Sequence, residues 1–316
     1  MKIATRAAFG AALGKLGEKF PKLCTVDADL SGSTKTKAFA KKFPDRAFNV
    51  GIAEQNLIGF SAGLAVAGFR PFACSFAVFA TGRGWEQIRN TVATSNLPVT
   101  IVGSHAGILT GEDGETHQSL EDFAVLRAVP NLKIFSPADG PETEKLVEHI
   151  LQNETGPVYL RLSRAGLPVI FDEKTKFDFA KIKFLPTKEI QNPKCRVAVF
   201  ATGALLNSAL AAAEKLAEKK IAVSIFNVCQ ISPLDSAGVL RAAANCDFAV
   251  SAEDHSVCGG LGSAISEVFA ENAVDKKLIR IGMRGFGESG TPQDLYEKYG
   301  FDAAGIFKKI ADAAES

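Results

Sequence analysis

Asn49-Val50-Gly51-Ile52-Ala53-Glu54-Gln55-Asn56 leaves a short β-type stretch, passes a glycine and enters a segment of helical length, so a strand hands the chain to a helix here. The same hand-over recurs on both sides. Strands are expected at 23–26, 48–50, 71–75, 99–102, 132–135 and 158–162, and helices over 7–16, 54–67, 79–93 and 142–152. Strands joined through helices pair in parallel, with the helices covering both faces of the sheet. Ligands then gather at the carboxyl ends of the strands, where Glu54 stands. A helix start also favours a carboxylate for structural reasons, so the segment alone leaves both roles open for Glu54.

The 316 residues exceed a single typical domain, and the pattern resumes after an interruption. Residues 171–194 are rich in Lys, Asp, Pro and Asn without a sustained period and read as an interdomain linker. Beyond them a second α/β set is expected, with strands near 197–200, 222–226, 248–251 and 278–281 and helices near 205–219, 261–271 and 303–313. The expected class is therefore α/β in two domains, 1–170 and 195–316, each a mostly parallel sheet flanked by helices.

A formal net charge of +1 gives no electrostatic argument for nucleic acid or a membrane surface. No apolar run approaches the ~18 residues of a membrane span. The start, Met1-Lys2-Ile3-Ala4-Thr5-Arg6, carries no apolar signal core, and a cytoplasmic location is expected. The six cysteines, Cys24, Cys74, Cys195, Cys229, Cys246 and Cys258, show no Cys-x-x-Cys spacing and are expected as buried, reduced thiols.

Gly111-Glu112-Asp113-Gly114-Glu115-Thr116-His117-Gln118 follows an expected strand that ends at Ser104-His105, so two of the four histidines fall in one strand-end loop. Glycine lets backbone approach a ligand, and Asp with His supplies an acceptor and a switchable donor, a set suited to a polyhydroxylated substrate. The segment lacks the ligand pattern of a calcium loop and the spacing of a zinc site. An ordinary polar turn is the plain alternative. Arg6, Ser33 and Arg164 also adjoin expected element ends, and arginine suits phosphate through its paired donors, although each residue alone is more often solvated or structural. Phe76 and Phe79 could be core or could line a slot for a flat heterocycle. Cys258-Gly259-Gly260-Leu261-Gly262-Ser263 fits neither nucleotide fingerprint and reads as close backbone packing at a helix start. His149 and His255 are read as structural.

Taken in order, Thr5-Arg6, Asp27-Ala28-Asp29-Leu30-Ser31, Gly51-Ile52-Ala53-Glu54-Gln55-Asn56, Ser75-Phe76-Ala77-Val78-Phe79, Gly111 to Gln118 and Leu162-Ser163-Arg164-Ala165-Gly166-Leu167-Pro168 resemble the pyrimidine-binding domain of the transketolase family. Glu253-Asp254-His255 and Gly285-Phe286-Gly287-Glu288-Ser289-Gly290 resemble its C-terminal domain. The family's diphosphate- and metal-binding pattern, Gly-Asp-Gly followed by Asn-Asn, does not occur. The resemblance therefore implies the C-terminal section of a split transketolase. A companion N-terminal subunit would carry the diphosphate domain and most of the Mg²⁺ (or Ca²⁺) site in a two-plus-two assembly, with no metal ligand in this chain.

The resemblance implies thiamine diphosphate as cofactor, sugar phosphates as substrates and a place in the pentose phosphate pathway. Glu54 would bind N1′ of the aminopyrimidine, Phe79 and Phe76 would form the ring's slot, Leu30 would touch it, and Asp29 would be a further cofactor-side contact. A carboxyl kept from water favours its neutral form and can share a proton with a ring nitrogen. Arg6, Ser33, His105 and Arg164 would hold the sugar phosphate, with Asp113 on a hydroxyl and His117 beside the reacting oxygens. Gly82 and Glu115 depart from the family pattern, where a further aromatic and a proline are frequent. The competing readings are the β subunit of a 2-oxoacid dehydrogenase first component, a variant split transketolase or related ketol-transferring synthase acting on an unusual ketose phosphate, and a non-catalytic paralogue of the same fold.

Overall fold

In the computed structural model, which describes residues 1–315, two large sheets form with helices on their faces, beside a two-stranded antiparallel pair of Lys2–Ala4 and Gly166–Pro168. The first has seven strands in the order Gln230–Ser232, Lys133–Phe135, Val158–Arg161, Thr100–Ser104, Arg70–Phe76, Leu23–Asp27, Ala47–Asn49. All of its pairings are parallel except that of Gln230–Ser232, an antiparallel edge strand lent by the second half of the chain. The second sheet runs Leu278–Met283, Phe248–Ser256, Cys195–Ala201, Ile221–Asn227, Lys183–Leu185. It too is parallel but for one edge, Lys183–Leu185. That strand falls inside the segment 171–194, so part of this low-period stretch is built into a sheet. Its burial pattern is half-buried to exposed, as an edge allows, and this is why no apolar alternation announces it.

Each expected strand of the parallel sets is present within a residue or two, except that the one expected at 248–251 continues to Ser256. The first sheet buries one face under helices Thr5–Lys19 and Gly140–Asn153, through Phe9, Leu13, Phe72, Leu146 and Leu160. Its other face packs beneath helix Glu54–Val66, and that core continues without a break into the second half through Phe200, Ala249 and Ile265. Asp139 fixes one join: its carboxylate caps helix Gly140–Asn153 at Glu142 N (2.9 Å) and accepts from the amides of Ile170 and Phe171 (2.7 and 2.8 Å).

The single helix expected over 79–93 is broken. It divides into Ala77–Arg83, Trp85–Gln87 and a π-helical stretch, Ile88–Ala93. Gly84 explains the break: a Cβ there would sit 2.7 Å from the Ala80 carbonyl oxygen and 3.4 Å from that of Glu54. Only a bare backbone lets this turn press against the start of the Glu54 helix.

A buried cross-brace joins the two halves. Arg161 Nε meets Asp122 Oδ2 at 2.7 Å, Tyr159 Oη donates to the same oxygen at 2.7 Å, and Arg161 Nη2 donates to the Asp254 carbonyl at 2.9 Å. Burial alone would raise the Asp122 carboxyl, but Arg161 and His255 bring it below the ordinary carboxylate range. His255 is fully buried, 3.8 Å from Asp122 and 3.7 Å from Glu253, and burial pushes its imidazole down to about 4. This is the structural role expected of it. The Gly259–Gly262 turn also behaves as expected, since the Glu253 carboxylate accepts from Leu261 N and Gly262 N (2.7 and 2.8 Å) at the helix start. A phosphate would find those donors taken. Five cysteines are buried, but Cys258, expected with them, is exposed on that turn. Among the described residues no helix is long and apolar enough to cross a membrane.

Candidate functional site

The parallel strands of the first sheet release their chains toward one rim, and the expected site residues collect there. Leu23–Asp27 leads to Leu30 and Ser33, Ala47–Asn49 to Glu54, Arg70–Phe76 to Phe79, Thr100–Ser104 to the loop holding His105, Asp113 and His117, and Val158–Arg161 to Arg164. Crossover connections place strand ends that are remote in sequence side by side.

Glu54 is the first residue of its helix and only 5% exposed. Gly51, at φ 73°, takes the left-handed turn that brings the chain off the strand and into that position. The carboxylate meets Arg83 Nη1 at 3.1 Å. The Arg83 guanidinium lies 4.3 Å above the Phe79 ring, and Phe79 stacks on Phe76 with centroids 5.7 Å apart and planes at 15°. The His117 ring stands edge-on to both, at 5.3 Å from Phe79 and 6.0 Å from Phe76. Phe76 in turn stacks on His105 at 3.8 Å.

His105 opens the polar half of the site. Its Nε2 faces Arg6 Nη1 at 3.1 Å and its Nδ1 faces Ser104 Oγ at 2.8 Å. Arginine can only donate, so Nε2 accepts, the ring is neutral, and the proton sits on Nδ1, shared with Ser104. Burial, followed by the charges of Arg6, Arg164 and nearby groups, pushes this imidazole down to about 3. Arg6 Nη1 also donates to the Ser33 carbonyl at 3.0 Å, while Arg6 Nε is buried without a hydrogen-bond partner. Burial and then Arg164 lower the Arg6 guanidinium from its ordinary value, and Asp113 opposes them. Two guanidinium groups close enough to disfavour each other, one with an orphaned donor, suit an anion between them.

Arg164 reaches the loop by donating to the Thr110 carbonyl and to Glu112 Oε2 (2.8 Å), and Thr110 Oγ1 bonds the His105 carbonyl at 2.6 Å. The second half of the chain holds this loop from outside. Asp254 accepts from Ile108 N at 2.9 Å, Gln118 Nε2 donates to the Glu288 carbonyl at 2.9 Å, and Ser289 Oγ donates to the Glu112 carbonyl at 2.7 Å. The C-terminal sheet thus shapes the site without entering it.

Asp29 and Leu30 stand apart from this chain of contacts. Asp29, at φ 62°, exchanges hydrogen bonds with Asn49 at 3.0 and 3.1 Å, and Leu30 is half-buried with its amide held by Asp27. Asp27, given no role by the sequence, is buried, and its carboxylate also accepts from Thr34 and Thr36 (2.7 and 3.0 Å), which fixes the loop that carries Ser33. Arg83 and Glu112 were missed as well. Gly82, beside Arg83, is open to space.

The histidine arrangement makes a pH prediction. His105 has its folded value below the free imidazole value of about 6.5, so its stabilisation is complete above that pH. It is lost, at about 1.4 kcal/mol per unit, as pH falls toward 3, because the unfolded chain takes the proton first. In an NMR titration the His105 ring is expected to remain neutral at pH 4.5. A midpoint near 6.5 would contradict the caged, Nδ1-protonated ring.

The chain matches the family model of the transketolase pyrimidine-binding domain over residues 1–169 and that of the transketolase C-terminal domain over 187–306. It is 44% identical over 310 residues to a protein of Methanocaldococcus jannaschii named as a transketolase C-terminal section, covering 97% of this chain and 95% of that one. A 6-deoxy-6-sulfo-D-fructose transketolase subunit from a Clostridium species is 38% identical, over 94% of this chain and 90% of its own. Among solved structures, a split-gene transketolase described as an inactive β4 tetramer superposes with a TM-score of 0.88 at 41% identity, covering 100% of this chain and 99% of that one. The chain belongs to the transketolase family and corresponds to its pyrimidine-binding and C-terminal domains, the C-terminal section of a split transketolase. These matches favour that assignment over the β subunit of a 2-oxoacid dehydrogenase first component.

Proposed function

We propose that this chain is the thiamine-activating and sugar-holding subunit of a two-chain transketolase, moving a two-carbon ketol unit from a ketose phosphate to an aldose phosphate in the pentose phosphate pathway of the cytoplasm. One observation carries the reading: the buried carboxylate of Glu54 is joined through Arg83 to the stacked Phe79–Phe76 pair, and Phe76 stacks in turn on His105, which faces Arg6. Relatives matched over nearly their full length are named as a section, a subunit or the product of a split gene, which supports a separate N-terminal subunit and a two-plus-two assembly.

The residues present fit an aminopyrimidine. Phe79 and Phe76 offer a flat apolar wall that excludes water, and the carboxylate beside it can bind a ring nitrogen. Thiamine diphosphate, when bound, supplies the electron sink for carbon–carbon cleavage. Glu54 would hold the proton shared between its Oε and N1′, and Leu30 and Asp29 would border the cofactor. Among the described residues no group of three potential ligands could hold a metal, and Mg²⁺ or Ca²⁺ would be held mainly by the partner with the diphosphate. Arg6 and Arg164 would grip the substrate anion. Ser33 and His105 would complete the sugar-phosphate site beside them, Asp113 would accept from a substrate hydroxyl, and His117 would carry protons at the reacting oxygens.

The anion grip gives the test. In the two-chain complex, Arg164→Ala is expected to raise KM for a ketose phosphate at least tenfold with kcat within about threefold, the signature of lost uniform binding. An unchanged KM would remove Arg164 from this role. A guanidinium pair also accepts a sulfonate, and the Clostridium relative is named for a sulfo-sugar, so the assay compares both anions on one ketose.

A further inference from the structure

Arg83 makes two contacts that an aminopyrimidine would need. Its Nη1 donates to Glu54 Oε1 at 3.1 Å, and its guanidinium lies 4.3 Å over the face of Phe79. The guanidinium is planar, delocalised and rich in N–H donors, as an aminopyrimidine is, and it answers the same pair of needs: a partner for a buried carboxylate and a flat face for an aromatic ring. A ring bonded to Glu54 and stacked on Phe79 competes with it for both.

We propose that Arg83 keeps the pyrimidine seat filled until the cofactor ring displaces it, an inference that rests on the role proposed above for Glu54 and Phe79. The seat is held from the solvent side. The Glu54 side chain is 5% exposed and that of Arg83 56%, so the carboxylate is fixed in the wall while the arginine can withdraw into water with its charge hydrated. Arg83 is the last residue of helix Ala77–Arg83, four beyond Phe79, which places its stem over the ring by helical geometry. Gly82 and Gly84 flank it, and at Gly82 no neighbour lies within 4 Å of where a side chain would be. Little therefore obstructs its outward swing.

The arrangement solves a problem specific to an unloaded subunit. A buried carboxylate without a partner is costly, and Arg83 offsets that cost without the cofactor. It also imposes a toll on binding, because only the fraction of molecules with Arg83 withdrawn can accept the ring, and the apparent dissociation constant rises in proportion. A partly exposed ion pair combined with a cation–π contact sets that toll at about tenfold.

The probe is 4-amino-5-hydroxymethyl-2-methylpyrimidine, the ring fragment alone, titrated into the full chain by NMR so that neither diphosphate nor metal contributes. Arg83→Ala is expected to bind it about tenfold more tightly than the natural chain, and Arg83→Gln to shift in the same direction by less. Glu54→Gln is expected to lose binding. Equal or weaker binding by both Arg83 variants, with binding still dependent on Glu54, would overturn the placeholder and leave the proposed role of Glu54 standing. Binding by no variant would overturn both.

Discussion

Glu54→Gln in the two-chain complex is expected to slow exchange of the cofactor's C2 proton by about 10³-fold, within the 10²–10⁴ range that a positioned acid or base contributes. The substitution keeps the size of the side chain and one carbonyl acceptor but removes the group that can hold a proton at Oε. Glu54 is buried at the first turn of its helix. The ring fragment alone is expected to lose its hold on this variant, but in the two-chain complex the diphosphate would anchor the cofactor, so the loss should appear in the proton-transfer rate more than in cofactor occupancy. Hydrogen–deuterium exchange at C2, followed by quenched-flow NMR, measures this without any sugar. An exchange rate within a few-fold of the natural complex would remove Glu54 from the chemistry.

How far the sequence disclosed this site depends on the kind of contact. Glu54, Phe79, His105 and Arg164 each follow a parallel strand, and a period of alternating strands and helices is enough to bring them to one rim. What a residue touches across that rim leaves no trace in spacing. Arg83 reads as one more surface arginine until the Gly84 turn folds its helix against the Glu54 helix, and no periodicity in 79–93 reveals that turn. The neutral state of His105 depends on Arg6, 99 residues away. Edge strands were the other blind spot. Gln230–Ser232 and Lys183–Leu185 are three-residue pieces whose pairing is decided by a distant partner, so neither propensity nor alternation marks them. Cys258 departs from the buried-thiol expectation because it stands on the exposed glycine turn before helix Leu261–Glu271 and not in an apolar run.

The second large effect concerns the chain on its own. The groups proposed for the ring and sugar all belong to this chain, but its sequence lacks the Gly-Asp-Gly and Asn-Asn pattern associated with the diphosphate. A cofactor held only by its pyrimidine forfeits the charge-assisted contacts that dominate the binding of a diphosphate. The solved split-gene relative is described as an inactive β4 tetramer. The isolated chain should therefore bind thiamine diphosphate weakly and show no ketol transfer above background. Adding the N-terminal subunit should restore both, by several orders of magnitude in rate.

The most direct measurement is a ketol-transfer assay with xylulose 5-phosphate and ribose 5-phosphate at saturating thiamine diphosphate and Mg²⁺, run on the purified chain, on the N-terminal subunit and on their equimolar mixture. Activity confined to the mixture is the expected result; sustained turnover by this chain alone would contradict it.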